Sequence, residues 1–111
     1  MPADRELFES QVPICEREST TFCQDFLIAE RFGLAAIKDT YSRAFAEWKS
    51  SYKYLTELCM TLCHLIVFHL QRDPKNEDRT NLYSDLWQKT FDWGLANLKG
   101  DELKFFLAVL D

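Results

Sequence analysis

The longest regular pattern in the chain runs through Tyr41, Phe45, Trp48, Tyr52, Leu55, Cys59, Leu62, Ile66 and His69, at spacings that alternate between four and three residues. That alternation keeps one seam of an α-helix turned toward a partner helix, and no Gly or Pro interrupts it. It predicts a helix over 39–71, with Asp39 able to cap its start. At 1.5 Å per residue such a helix would be about 50 Å long, so it would bend at the polar Ser50-Ser51 pair or run past the rest of the domain. The seam changes character along its length. Its first half is aromatic with a polar back face of Arg43, Glu47, Lys49 and Lys53, whereas 58–70 is apolar nearly all round. An apolar circumference means burial on several sides, which makes the second half the central helix of a bundle and leaves the first half packed on one side.

The flanking segments supply the other helices. Leu7 and Phe8 among good helix formers predict a short helix over 3–11, ending before Pro13 because a residue preceding proline is steered away from α geometry. Ser19-Thr20-Thr21 offers N-caps, and Thr21 with Gln24 has capping-box spacing, so a helix follows over 22–32 or from an earlier start after Pro13. Phe22 with Phe26, and Cys23 with Leu27, stand at i,i+4 on adjacent rows. Gly33 suits the left-handed position that ends a helix, and Leu34 to Lys38 reads as a short helical turn. Asp73-Pro74-Lys75-Asn76-Glu77-Asp78 is a polar linker that reverses the chain. A last long helix over 80–99 places Leu82, Leu86 and Trp93 on one row and Tyr83, Trp87, Phe91, Leu95 and Leu98 on the next. Lys99-Gly100 closes it, and Asp101 caps a short final helix whose Leu103, Phe106, Leu107 and Leu110 fold back on the bundle.

Composition agrees with this and narrows the function classes. A chain of 111 residues is one domain, 1–111, and three Gly and three Pro are too few for the corners of a β-sandwich. With a net charge of −5 and acids spread along the chain, no basic stripe exists to neutralise phosphates, which excludes direct nucleic-acid binding. Asp and Glu alternate with Lys and Arg in stretches such as 72–79, so a DNA-mimicking acidic face is absent too. The most apolar run, Leu55 to Leu70, is interrupted by Thr56, Glu57, Thr61, His64 and His69 and falls short of the ~20 residues a membrane span needs. Met1-Pro2-Ala3-Asp4-Arg5-Glu6 has no apolar leader, so the expected compartment is the cytoplasm, where cysteines stay reduced.

Candidate chemistry is sparse. Cys59 and Cys63 lie at i,i+4 with His64 beside them and Cys15, Cys23 and His69 elsewhere, so a zinc or small-molecule site could draw on Cys59, Cys63, His64 and His69. Structural zinc sites pair close ligands across a loop, however, and a thiol inside an apolar helical stretch behaves as a small hydrophobe, so no cofactor and no metal is expected. His64 and His69 fall on separate helix faces and neither stands in a motif with a nucleophile; a seam histidine is an ordinary hydrogen-bonded core or interface residue. Inward-facing Glu-x-x-Glu or Glu-x-x-His pairs are absent, so the chain is not expected to be an enzyme. The aromatic load points elsewhere. Tyr41, Phe45, Trp48 and Tyr52 form a stripe on the half of the long helix that packs on one side, which makes them the expected binding residues.

The stretches Asp25-Phe26-Leu27-Ile28-Ala29, Phe32-Gly33, Ile37-Lys38-Asp39-Thr40-Tyr41, Arg43-Ala44-Phe45, Glu47-Trp48-Lys49 and Tyr54-Leu55-Thr56-Glu57-Leu58, with Leu98-Lys99-Gly100-Asp101-Glu102-Leu103, carry a resemblance. Over 25–105 the chain resembles small all-helical proteins of gut Bacteroidales and their phages or mobile elements, a group without an established activity. The resemblance implies a genomic setting, assigns no site residue and puts no weight on Cys59 and Cys63.

Together these readings predict an all-α, up-and-down helical bundle of four or five helices around one long heptad-patterned helix. The expected function is a non-catalytic protein-interaction module that binds itself, as a homodimer, or a larger partner through Tyr41, Phe45, Trp48 and Tyr52. In the setting the resemblance implies, it would be a phage or mobile-element accessory or inhibitor protein whose partner is a host defence or replication factor.

Overall fold

Between Trp48 and Tyr52 the backbone leaves the helix, and this break sets the architecture. The computed structural model describes residues 20–110; the helix expected over 3–11, Cys15 and the Ser19 cap lie outside them, as do the side chains of Thr20, Thr21 and Phe22. Five helices and no strand occur among the described residues: α1 (Thr20–Glu30), α2 (Leu34–Trp48), α3 (Tyr52–Arg72), α4 (Glu77–Asn97) and α5 (Gly100–Leu110). The protein is an all-α helical bundle.

The heptad seam is thus carried by two helices. A continuous helix over 39–71 would be about 50 Å long, more than the 40 Å of the longest molecular axis. Lys49 keeps helical angles and its N–H reaches the Phe45 carbonyl at 3.0 Å, but Ser51 is extended (φ −109, ψ 116) and stands at the N-cap position of α3, where its carbonyl accepts the Leu55 N–H and its side chain makes no capping bond. The break falls at Ser50-Ser51, a polar pair of weak helix formers. The seam still faces inward on both sides of it, with Tyr41, Leu55, Cys59, Leu62 and His69 all buried.

Helix α2 starts at Leu34, five residues before the expected Asp39 cap. Gly33 adopts φ 109, ψ −177, a conformation reserved for glycine, and Leu34-Ala35-Ala36-Ile37 are strong enough helix formers to start at once. Asp39 therefore sits inside the helix, paired with Arg43 one turn on. Helix α4 likewise begins early, at Glu77. The Asn76 side chain accepts the Arg79 N–H, and Glu77 and Asp78 favour the positive end of the helix dipole, so acids that read as linker are the first turn.

Helix α3 meets every other described helix, although the burial expected all round 58–70 is incomplete, since Cys63, Val67 and Leu70 leave one face of it exposed. One part of the core gathers Phe26, Ile37, Tyr41, Leu62 and Tyr83 from α1 to α4. A second joins Leu55 and Cys59 to Leu98 and Phe106, seating α5. Fully burying each large side chain is worth about 1.5–3 kcal/mol. The close approach of α5 depends on Gly94, where a Cβ would lie 2.5 Å from the Phe106 ring.

Candidate interaction groove and the polar clamp behind it

An open groove of about 470 Å³ lies along helices α1 and α2. Asp25, Ile28 and Ala29 follow one face of α1, Phe32 stands in the turn that follows it, and Ala36, Asp39, Thr40, Arg43, Ala44, Glu47 and Trp48 follow one face of α2. Both sets keep the i,i+3/i+4 step that lines up helical side chains. The floor is shallow-side-chained, with Ala29, Ala36, Thr40 and Ala44, and the walls carry Ile28, Phe32 and Trp48. Phe32 is 78% exposed, the highest among the large apolar side chains of the described residues, and Ile28 is 52% exposed. Trp48 extends the apolar surface to Tyr54, with ring centroids 4.8 Å apart.

The charged groups at this groove are exposed Asp25, Asp39, Arg43 and Glu47. Arg43 Nε lies 3.7 Å from Asp39 Oδ2, and both side chains are about three-quarters exposed, so the pair is held loosely by water-screened attraction.

Behind the groove, the C-terminal end of α1 is fastened by a buried carboxylate. Glu30 Oε2 accepts from the Tyr83 hydroxyl at 2.6 Å and from His69 Nε2 at 2.7 Å, which fixes the Nε2–H tautomer of the imidazole against a carboxylate. Arg79 Nη1 lies 3.8 Å from Glu30 Oε1. The Glu30 side chain is 10% exposed and that of His69 6%, so the carboxylate gives up most of its hydration and recovers it from three partners. The His69 ring also lies parallel to Tyr83, 5.9 Å between centroids. Burial raises the Tyr83 hydroxyl well above the ordinary phenol range, and the charge and hydrogen bond of Glu30 push the same way; the nearby Arg79 opposes them.

The aromatic stripe is distributed between core and surface. Tyr41 is 1% exposed, although the pattern placed it on the one-sided half of the seam. Its hydroxyl is 2.8 Å from Thr90 Oγ1. Thr90 spends its proton on the Leu86 carbonyl at 2.7 Å, so Tyr41 is the donor. Burial raises the Tyr41 hydroxyl as well, more than the Thr90 bond lowers it. Phe45 stacks on Tyr41 and meets Trp93 edge-on, with the Lys49 ammonium 5.7 Å from its centroid. Tyr52 meets Phe105 of α5 edge-on at 5.4 Å. Trp48 is the stripe residue that lines the groove.

Two groups escaped the sequence pattern. Phe32 adjoins the helix-ending glycine and read as part of a terminus; its register with Asp25 and Ile28 was the available signal. Glu30 could not be read as a clamp, because its partners lie 39 and 53 residues away.

Cys59, Cys63, His64 and His69 do not converge. Cys59 is fully buried in the core, and burial, aided by Cys63, pushes its thiol up to about 12. Cys63 is exposed, His64 half-buried and His69 is bound to Glu30. No group of three or more His, Cys, Asp or Glu side chains among the described residues is placed to hold a metal ion. No described helix is long and apolar enough to cross a membrane. No family model, curated protein or solved structure matches the chain.

Proposed function

We propose that this chain is a protein-interaction module without catalytic activity, docking its partner in the α1–α2 groove with Trp48 as the stripe residue that touches it. The observation that carries this reading is Phe32, 78% exposed on the groove wall beside Ile28. Covering a side chain of that size releases about 1.5–3 kcal/mol, and contiguous exposed apolar surface is what marks an interaction face. The other stripe residues serve it indirectly: Tyr41 and Phe45 hold α2 against α4 and so fix the groove wall.

Retention of partner from a lysate of the native host tests the reading, with wild type compared with Phe32→Asp, Trp48→Ala and a control at another exposed apolar position, Leu95→Asp. Loss of the bound protein with both groove variants, its persistence with Leu95→Asp, and unchanged far-ultraviolet circular dichroism support docking at the groove. Equal retention by all four proteins contradicts it. A collapse of helicity in Trp48→Ala would instead make that residue an ordinary core member.

A further inference from the structure

We infer that the occupant of the α1–α2 groove is a cationic amphipathic helix of about three turns supplied by another protein. The inference rests on the docking reading above and adds the chemistry of the partner. From Ala36 to Trp48 the lined face of α2 covers twelve residue steps, about 18 Å, the length of roughly twelve residues of helix. A cleft between two helices with a floor of small side chains and apolar residues on its walls takes the apolar face of a third, anchored at i, i+3/i+4 and i+7. Here Ile28, Phe32 and Trp48 supply the apolar wall for such anchors.

Charge selects among helices. The groove lining holds three carboxylates, Asp25, Asp39 and Glu47, against one guanidinium, Arg43, which is itself turned to Asp39. A partner helix flanked by Lys or Arg meets the opposite sign on both walls, whereas a second copy of this chain brings a net charge of −5 to an acidic rim. Like charges facing each other across an interface suppress the wrong partner. A cationic helix is therefore preferred over self-association, and its binding weakens as salt screens the rim.

Fluorescence anisotropy of three labelled helical peptides tests this, each of about twelve residues with leucine at the anchor positions and lysine, glutamine or glutamate elsewhere. The Leu-Lys peptide should bind saturably at one site, the Leu-Glu peptide should not, and added salt should weaken the former. The double variant D39N/E47Q should reduce Leu-Lys binding about tenfold, and Arg43→Gln, which removes the lone cation, should tighten it. The Arg43→Gln gain cannot arise from unfolding. Leu-Lys binding that ignores all of these substitutions would be diffuse attraction to an acidic protein and would overturn the proposal. Equal binding of the Leu-Lys and Leu-Gln peptides, lost in Phe32→Asp, would overturn the charge preference while leaving the groove as the docking site. A dimer in native mass spectrometry that dissociates in Phe32→Asp would replace the cationic helix with a second copy. Absence of binding by every peptide would overturn the helical occupant, while the lysate comparison decides separately whether the groove docks any protein.

Discussion

Glu30 at the end of α1 and His69 near the end of α3 are joined by a 2.7 Å hydrogen bond with both side chains at least nine-tenths buried. The same carboxylate takes the Tyr83 hydroxyl and faces Arg79, so one side chain ties the first described helix to two others. Because α1 forms one wall of the groove, this clamp also sets where Ile28 and Phe32 stand.

Removing the carboxylate should therefore cost far more than removing any one partner. Glu30→Ala leaves a histidine, a tyrosine and an arginine facing an emptied buried site, and breaking a buried pair in this way costs about 3–5 kcal/mol. Tyr83→Phe removes one hydrogen bond to a charged group, about 1.5–3 kcal/mol. Urea unfolding followed by circular dichroism should rank them in that order, with both below wild type. A Glu30→Ala protein as stable as wild type would show that the clamp contributes nothing.

The buried hydroxyls and thiol make stability fall at alkaline pH. Tyr83, Tyr41 and Cys59 all ionise less readily when folded than when unfolded. Above their unfolded values the unfolded chain holds fewer protons, so stability present below that point declines as pH rises. For Cys59 the decline runs from near 9.0 to about 12. Unfolding midpoints should be lower at about pH 11 than at about pH 8, and Tyr83→Phe should flatten that decline because it removes one of the three groups. An unchanged alkaline slope in Tyr83→Phe would count against the buried phenol as a contributor.

Glycines 33 and 94 should both resist substitution, for different reasons. At φ 109, ψ −177 Gly33 occupies a region closed to side chains, and Gly33→Ala should cost about 1–3 kcal/mol although no atom lies within 4 Å of the added Cβ. Gly94→Ala gains about 1 kcal/mol of helix propensity but drives a methyl into Phe106, whose ring is fully buried and stacked near Phe91. Overpacking costs about 1–3 kcal/mol, so the net effect should be a modest loss, with α5 loosening first. Hydrogen exchange confined to α5 in Gly94→Ala would show this; slower exchange there would contradict it.

What the sequence pattern conveys depends on whether the signal is local. The inward-facing seam from Tyr41 to His69 and the chain reversal after Asp73 follow from spacing and turn chemistry, and the structure has both; the burial expected all round 58–70 holds except along Cys63, Val67 and Leu70, which stay exposed. The break at Ser50-Ser51 was visible as a weak point, but local propensity does not decide between a bend and an interruption; packing does. Asp39 shows the limit of capping rules, since a suitable cap residue lies inside a helix that an upstream glycine had already started. Tyr41 shows the limit of amphipathic reading: its polar back face implies a free flank, yet α4 covers the ring through Thr90. Glu30, His69 and Tyr83 are distant in sequence, and nothing local marks them as partners.

The stripe residues should separate by function. Tyr41→Phe deletes the hydroxyl that binds Thr90 but keeps the ring stacked on Phe45, so it should lower stability by about 1 kcal/mol with little change in partner binding. Trp48→Ala should do the reverse, weakening binding with little loss of helix signal. Parallel unfolding and peptide-binding measurements on the two variants check this, and equal effects of both on binding would show that the stripe acts as a unit.

Docking in the α1–α2 groove, as proposed above, can be read residue by residue. Titrating the Leu-Lys helix into nitrogen-15-labelled protein, and mapping the backbone amide shifts, tests it most directly. Perturbations are expected on the groove face of α1 and α2, around Ile28, Phe32, Asp39 and Trp48, with α4 and α5 nearly silent. Shifts spread over the acidic residues of every helix, or centred on α4 and α5, would contradict it.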